Sequence, residues 1–276
     1  MAQTRPAPQQ ASRFWRDDAL PFIESRTVAD GRQVCYEKHS HETFSLGVID
    51  GGHSHYLNGN QRHEIAAGSV LMMNPGEVHA CAPVRGAGWA YRMLYVDQDW
   101  LGARQAELGL SPHGDFQPLA CQLSTDPRLY AAFTRFHAVL TATDSEQLLK
   151  ESVAVQFFSE ALAALAHGKP PRPGAPDKLA RAADFIHSHA TESLTLQQIC
   201  AAASLSPSYL IRAFSQHYHM TPHAYLLNCR IQHARRLLRG RQPLAEIAHA
   251  SGFADQAHFQ RVFKRLTAVT PGHYRR

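Results

Sequence analysis

A chain of 276 residues with 44% hydrophobic content is long enough for two domains, each burying its own core. No run approaches the roughly 18 to 20 apolar residues of a membrane span, and residues 1–13 hold no apolar stretch of signal-peptide type, so a cytoplasmic protein with no membrane partner is expected. The net charge of +5 hides an asymmetry: residues 1–176 carry 15 Lys plus Arg against 18 Asp plus Glu, whereas residues 177–276 carry 13 against 5, a local excess of +8. That concentration favours a polyanionic partner, because each neutralised phosphate releases condensed counterions.

From residue 33 to 96 the chain reads as short strands separated by turn-formers, IDGGHS, LNGNQ, AAGSV, MNPGEV and RGAGW, the spacing of a sandwich or barrel. The stretch WAYRMLYV sets Trp89, Tyr91, Met93 and Tyr95 on one strand face, with Ala90, Arg92, Leu94 and Val96 on the other. Both faces are occupied, as in a barrel wall beside a pocket. Residues 126–167 change period: Leu129, Phe133, Phe136 and Leu140, then Val155, Phe158, Leu162 and Leu165, follow helical steps, giving two helices with a break near Asp144. That stripe fits either a dimerisation seam or packing on the same chain's barrel. Residues 168–176, GKPPRPGAP, hold four prolines in nine residues and read as a linker. The five cysteines, Cys35, Cys81, Cys121, Cys200 and Cys229, are scattered without CxxC spacing and read as reduced packing residues.

The last hundred residues contain an internal duplication. Leu196, Ile199 and Leu205 recur 48 positions later as Leu244, Ile247 and Phe253. After a one-residue insertion, Leu210, Arg212, Phe214, Thr221, Pro222 and Tyr225 recur as Phe259, Arg261, Phe263, Thr270, Pro271 and Tyr274. Each copy has the punctuation of helix, tight turn, helix. Thr195 with Gln198 forms a capping box, Ser206-Pro207 supplies an N-cap and first-turn proline, and Asp255 caps the corresponding helix of the second copy. In the first copy Leu210, Ala213 and Phe214 make the buried face and leave Ser208, Arg212 and Ser215 outside. In the second, Phe259, Val262, Phe263 and Leu266 turn inward, leaving Gln256, Gln260, Arg261 and Lys264 exposed. An outer face of Arg, Lys and Gln suits the major groove, where arginine pairs bidentately with guanine and glutamine with adenine.

The segments LSPSYLIRAFSQHYHMTPHAYLLNCRIQHARRLL and SGFADQAHFQRVFKRLTAVTPGHYRR resemble the AraC/XylS family of transcription regulators over residues 177–276. The resemblance implies two helix-turn-helix units joined by one long helix, residues 222–239, that present two recognition helices to successive major grooves. Carried over by position, the base-facing residues are Ser208, Ile211 and Arg212 in the first unit and Gln256, Ala257, His258 and Arg261 in the second, with Gln260 and Lys264 beside them. The chain departs from the family in having His219 and Ala268 where a glycine usually follows each recognition helix.

The stretch from His39 to His79, containing GSVLMMNPGEVH, resembles the cupin-like effector domain that often precedes this module. Metal-binding cupins combine two histidines at i, i+2 with a glutamate and a later histidine. Here His39, His41 and His79 are present, but Glu42 adjoins His41 and points to the other strand face, so no metal and no cofactor is assigned. Instead His39, His41, His79, Trp89, Tyr91 and Met93 are expected to line the barrel and contact a small organic effector, unless the aromatics simply fill the core. Arg92 has the wrong alternation phase to join them.

The expected fold class is α+β: a cupin-like β-barrel over residues 14–125, a helical and dimerisation segment over 126–167, the linker, and an all-α domain of two helix-turn-helix units over 177–276. The implied partners are double-stranded promoter or operator DNA, a small-molecule effector, RNA polymerase and a second copy of the chain. A metal-dependent cupin enzyme would need the missing carboxylate, and DNA repair by alkyl transfer would need a cysteine with a histidine partner or CxxC cluster. No catalytic residue is assigned.

Overall fold

Alternating side chains and glycine turns build the first half of the chain. The computed structural model describes residues 12–32, 34–84, 88–165 and 176–276, so all but the last residue of the expected linker lies outside the described residues. Strands β1 (Ser12–Trp15), β2 (Ile23–Val28), β3 (Phe44–Asn58), β4 (Gln61–Ala66), β5 (Val70–Met73), β6 (His79–Pro83), β7 (Trp89–Val96) and β8 (Leu123–Ser124) form an antiparallel sheet in the order β1-β2-β7-β3-β5-β8. β3 is the backbone of the domain: its first half pairs with β7 and β5, and its second half with β4 and β6. The register slips between Ile49 and Gly51, and Gly52 follows at φ +73°, where a Cβ would lie 1.7 Å from the Gly88 carbonyl oxygen. Only glycine allows that approach.

The sheet buries both faces. Val28, Ile49, Tyr56, Leu71, Met73, Trp89 and Tyr91 fill the inside of the cup. Leu46, Val48, Leu94 and Val96 face the other way and pack on two helices, α2 (Pro127–Thr141) and α3 (Gln147–Leu165). Phe133, Phe136 and Leu140 of α2 and Phe158, Leu162 and Leu165 of α3 are buried there. Val155 was expected in the same stripe but is 37% exposed, and Ala154, Phe157 and Ala161 are buried instead. α3 is apolar on most sides, so steps of three and four did not single out its inner face. A further helix, α1 (Gln98–Glu107), follows β7 inside the stretch expected to be barrel. Asp97 caps it by accepting from the backbone N–H groups of Asp99 and Trp100.

The basic half is all helix: α4 (Asp177–Ser188), α5 (Leu196–Ala203), α6 (Pro207–Tyr218), α7 (Pro222–Leu237), α8 (Leu244–Ala250), α9 (Gln256–Thr267) and α10 (Pro271–Arg275). Two cores share α7, one gathering α4, α5 and α6 around Leu210 and Phe214, the other gathering α8, α9 and α10 around Phe259 and Phe263. The capping box at Thr195 forms and Asp255 accepts from the His258 N–H, whereas the Ser206 hydroxyl makes no cap bond. His219 and Ala268 take the left-handed cap at φ +58° and +59°. No described helix is long and apolar enough to cross a membrane.

Polar side chains of α7 dock this half onto the first. Asn228 accepts from the Ser40 N–H at 3.2 Å and donates to its hydroxyl at 3.0 Å, and Gln232 donates to the Ser40 carbonyl at 2.7 Å. Glu24 of β2, 3% exposed, accepts from Arg16 at 2.6 Å and from the Tyr274 hydroxyl at 3.2 Å, and lies 3.5 Å from Arg235 of α7. Burial alone would raise the Glu24 pKa; Arg235 and Arg16 outweigh it and hold the carboxyl below its ordinary value. Arg26 donates to the Thr267 carbonyl and Phe14 packs into the α9–α10 core.

Two outcomes are predicted. A left-handed non-glycine cap costs about 1 kcal/mol, so Ala268→Gly should raise unfolding stability by about that amount in denaturant titrations; unchanged or lowered stability would refute the strain. Glu24→Gln removes the charge facing two guanidinium groups and should loosen the docking, read as faster proteolysis between the halves. Because the folded pKa of Glu24 is depressed, its contribution is present at neutral pH and is lost as pH falls through and below the ordinary carboxylate range. A proteolysis rate that acidification changes equally in wild type and Glu24→Gln would remove Glu24 from this role.

Candidate functional site

Two separate surfaces carry the residues singled out from the sequence. The first is the outer face of α6 and α9. Leu210 and Phe214 are fully buried and hold α6 against its core, which turns Ser208, Ile211 and Arg212 to solvent. Phe259, Val262, Phe263 and Leu266 do the same for α9, leaving Gln256, Ala257, Arg261 and Lys264 exposed. His258 and Gln260 are half-buried, and the His258 ring lies edge-on to Phe253 at 5.4 Å. Arg212, Arg261 and Lys264 form no ion pair among the described residues, so their charge faces outward. Tyr209 was not anticipated: it is 49% exposed on α6 with the Arg212 guanidinium 5.9 Å from its ring centre. Its place three residues before Arg212 was a signal for the same face. By contrast Arg265, on the flank of α9, turns to Glu37 of the first half at 3.1 Å.

The second surface is the cavity inside the cup. His39, His41, His79, Trp89, Tyr91 and Met93 all line it, together with Tyr36, Met73, Cys81 and Tyr95. The β7 alternation therefore holds, and Arg92 on the opposite face donates to Asp50 at 2.8 Å and to Thr134 at 3.0 Å. The aromatics are tied down: the Trp89 indole N–H donates to the Gly31 carbonyl at 2.6 Å, its ring stacks on Tyr91 at 4.6 Å, and the Tyr91 and Tyr36 hydroxyls are hydrogen-bonded. They frame a largely apolar space at the centre of the cup.

At the end of the cavity nearest α7 the three histidines meet. His39 and His79 face each other across a single β-bridge, and the ring centres of His39, His41 and His79 form a triangle with sides of 4.4, 4.9 and 4.9 Å. One nitrogen from each falls within 4.8 Å of the others, an arrangement able to hold a metal ion. His39 Nδ1 donates to the Glu37 carbonyl at 2.7 Å and His79 Nδ1 to the Glu77 carbonyl at 2.9 Å, which leaves each Nε2 as a free acceptor. His41 differs, because its Nδ1 accepts from Arg235 at 3.2 Å. Burial pushes all three pKa values below the ordinary imidazole range, and neighbouring histidines add to the shift for His39 and His41, so the rings are neutral. Glu42 points away, as its phase required, and pairs with Arg236.

Comparison with known proteins finds matches to both halves of the chain. A model described as an AraC-like ligand binding domain matches residues 23–158, and a helix-turn-helix domain model matches residues 199–276. An uncharacterized HTH-type transcriptional regulator of Bacillus subtilis, YbfI, is 26% identical over 228 residues, 81% of either chain. The arabinose operon regulatory protein of Salmonella typhimurium is 26% identical over 235 residues, 79% of this chain and 78% of that one. ToxT of Vibrio cholerae shares the fold, with a TM-score of 0.57 at 14% identity over 96% of this chain and 97% of that one. With a ligand-binding sheet domain and a duplicated helix-turn-helix domain matched in one chain, the protein belongs to the AraC/XylS family of DNA-binding transcription regulators with an N-terminal cupin-like domain.

Proposed function

We propose that this regulator reads promoter or operator DNA through Ser208, Ile211, Arg212, Gln256, Ala257, His258, Gln260, Arg261 and Lys264, and that a small molecule held in the cup controls it. The observation that carries the reading is the pairing of two buried helix faces, centred on Phe214 and Phe263, with exposed Arg212 and Arg261 at matched positions of the repeat. Guanidinium groups free of ion pairs at such positions suit bidentate contact with guanine. Ile211 and Ala257 offer apolar contact to a thymine methyl, and Tyr209 joins this face.

The effector reading rests on the cavity. A wall of Trp89, Tyr91 and Met93 with three histidines at one end has the mixed lining of a ligand pocket. ToxT has been solved with an unsaturated fatty acid bound, and the apolar wall here suits a largely apolar effector. The domain division follows the same reading: sensing in residues 14–125, dimerisation through 126–167, a tether at 168–176, and DNA contact in 177–276. The working unit is a homodimer in the cytoplasm, with RNA polymerase as its partner at the promoter, and no catalytic role is assigned. Support for the dimer comes from α3, whose outer side exposes Leu148 at 71%, Leu149 at 48% and Val155 at 37%.

Arg212→Ala and Arg261→Ala are each expected to weaken specific binding by roughly 1 to 3 kcal/mol with the fold intact. Fluorescence anisotropy on a cognate operator measures this, and unchanged affinity in both variants would end the reading role of α6 and α9. Leu148→Glu combined with Val155→Glu should convert the dimer to a monomer in light scattering. A wild-type chain that is already monomeric at micromolar concentration would refute the α3 interface.

A further inference from the structure

We propose that the first half of the chain holds both base-reading helices by their C-terminal ends, with Arg26 at α9 and Lys38 at α6, and that Arg26 is the positioning residue that ties α9 to the wall of the cup. The inference rests on the reading of α6 and α9 as the helices that meet DNA, and it adds residues that never touch the nucleic acid.

An α-helix ends in carbonyl groups that find no partner in a following turn, and its aligned peptide dipoles make that end negative. A cation placed there is stabilised. α9 ends at Thr267 and α6 at Tyr218, and each is closed by a left-handed residue, Ala268 or His219. Period two along β2 sets Arg26 on the same face as Val28, which fills the inside of the cup. The Arg26 side chain is buried; its Nε donates to the Ser12 hydroxyl at 2.9 Å and its Nη1 to the Thr267 carbonyl at 2.8 Å. No carboxylate pairs with it among the described residues. What faces its charge is the negative end of α9, together with the rings of Phe14 and Tyr36 at 5.1 and 5.4 Å.

The loop after β2 repeats the contact on the other unit. Lys38 donates to the His219 carbonyl at 3.3 Å, and Glu37 beside it accepts from Arg265, in the last turn of α9, at 3.1 Å. Two consecutive residues therefore reach the ends of helices that belong to different repeats. Arg212, Arg261 and Lys264 stay exposed, so the grip leaves the reading faces uncovered. The two ties differ in strength, because Lys38 is exposed and screened by salt whereas Arg26 acts where water is largely excluded. Tyr36 carries the tie onward to the cup. Its ring lies beside Arg26, its hydroxyl is hydrogen-bonded to the Tyr91 hydroxyl on the cavity wall, and Ala268 packs against the same cup core as Tyr36. A displacement of Tyr36 is thus passed to the last turn of α9, which also carries Lys264 and follows directly on Arg261.

The test uses the full chain. Amide hydrogen exchange reads the grip directly: in Arg26→Met the N–H groups of residues 264–268 should exchange about tenfold faster, with α4 and α5 unchanged. Base reading is measured by fluorescence anisotropy on a duplex that the wild-type chain selects from a random pool, and on its single-base-pair variants. Arg261→Ala and Arg212→Ala mark the base pairs that belong to α9 and to α6. Arg26→Met should lower discrimination at the α9 base pairs by about threefold or more and leave the α6 base pairs within about twofold. Arg26→Lys, which keeps the charge and a donor, should recover part of the loss. Lys38→Met should lower discrimination at the α6 base pairs only at low ionic strength. Unchanged exchange at the end of α9, or a loss of discrimination spread evenly over both sets of base pairs, would overturn the proposal. If Arg26→Met does not fold, Tyr36→Phe carries the test: it keeps the ring, loses the bond to Tyr91 and should lower discrimination at the α9 base pairs by about twofold. Wild-type discrimination in that variant would overturn the tie to the cup. Faster exchange in Arg26→Met, alongside an Arg261→Ala variant that reads every base pair as wild type does, would instead remove α9 from base reading and leave the grip in place.

Discussion

A guanidinium group taken out of water must find partners for its N–H groups, and each of the three Arg235 nitrogens finds at least one at the boundary between the two halves of the molecule. It donates to the Tyr274 hydroxyl at 3.1 Å, to Gln232 at 3.2 Å and to His41 at 3.2 Å, and it shares Glu24 with Arg16. The rings of Tyr95 and Tyr274 lie 5.2 and 5.4 Å from its centre. Removing one partner from such a cluster leaves a buried charge uncompensated, which is why these groups hold or fail together. Much else follows from this placement. The tautomer of His41 depends on this side chain, which also shares in the docking of α7 with Asn228 and Gln232 and in the buried charge of Glu24 with Arg16.

The sheet shows why this contact can report on the cavity. β7 carries Tyr95, which touches both the cavity and Arg235, and Tyr91 and Trp89 further along the same face. His39 and His41 likewise border the cavity on one side and the α7 contact on the other. A change inside the cup therefore has no intervening layer to cross. The surrounding contacts, Arg236 with Glu42 and Lys38 with the His219 carbonyl, are exposed and screened by water and salt, so they orient the halves more than they bind them.

The repeat, the caps and the inner faces of α6 and α9 were legible because each is a local signal: a period, a capping residue, a proline at the right place. The alternation along β7 was legible for the same reason, since period two leaves no choice of face. Val155 misled because α3 offers apolar residues on nearly every side. α1 was missed because QDWLGARQAE has too few apolar residues to show a stripe, and its signal was the Asp97 cap. The docking of the two halves left no trace in the pattern. Its hydrogen-bonded partners stand 181 to 261 residues apart, and a buried Glu24 or Arg235 reads in sequence like any surface charge. The histidines were identified individually, but their convergence depends on the bridge that brings His39 onto His79.

The sharing of α7 between two cores has a consequence for the nucleic acid. Each core packs one of the two proposed reading helices against the same rod, so on that proposal the distance and twist between the two reading faces follow from the protein's own packing. A target sequence must then match in phase as well as in letters. Inserting five base pairs between the two contacted segments turns one of them to the far side of the double helix, where a rigid caliper of this kind has no means to follow.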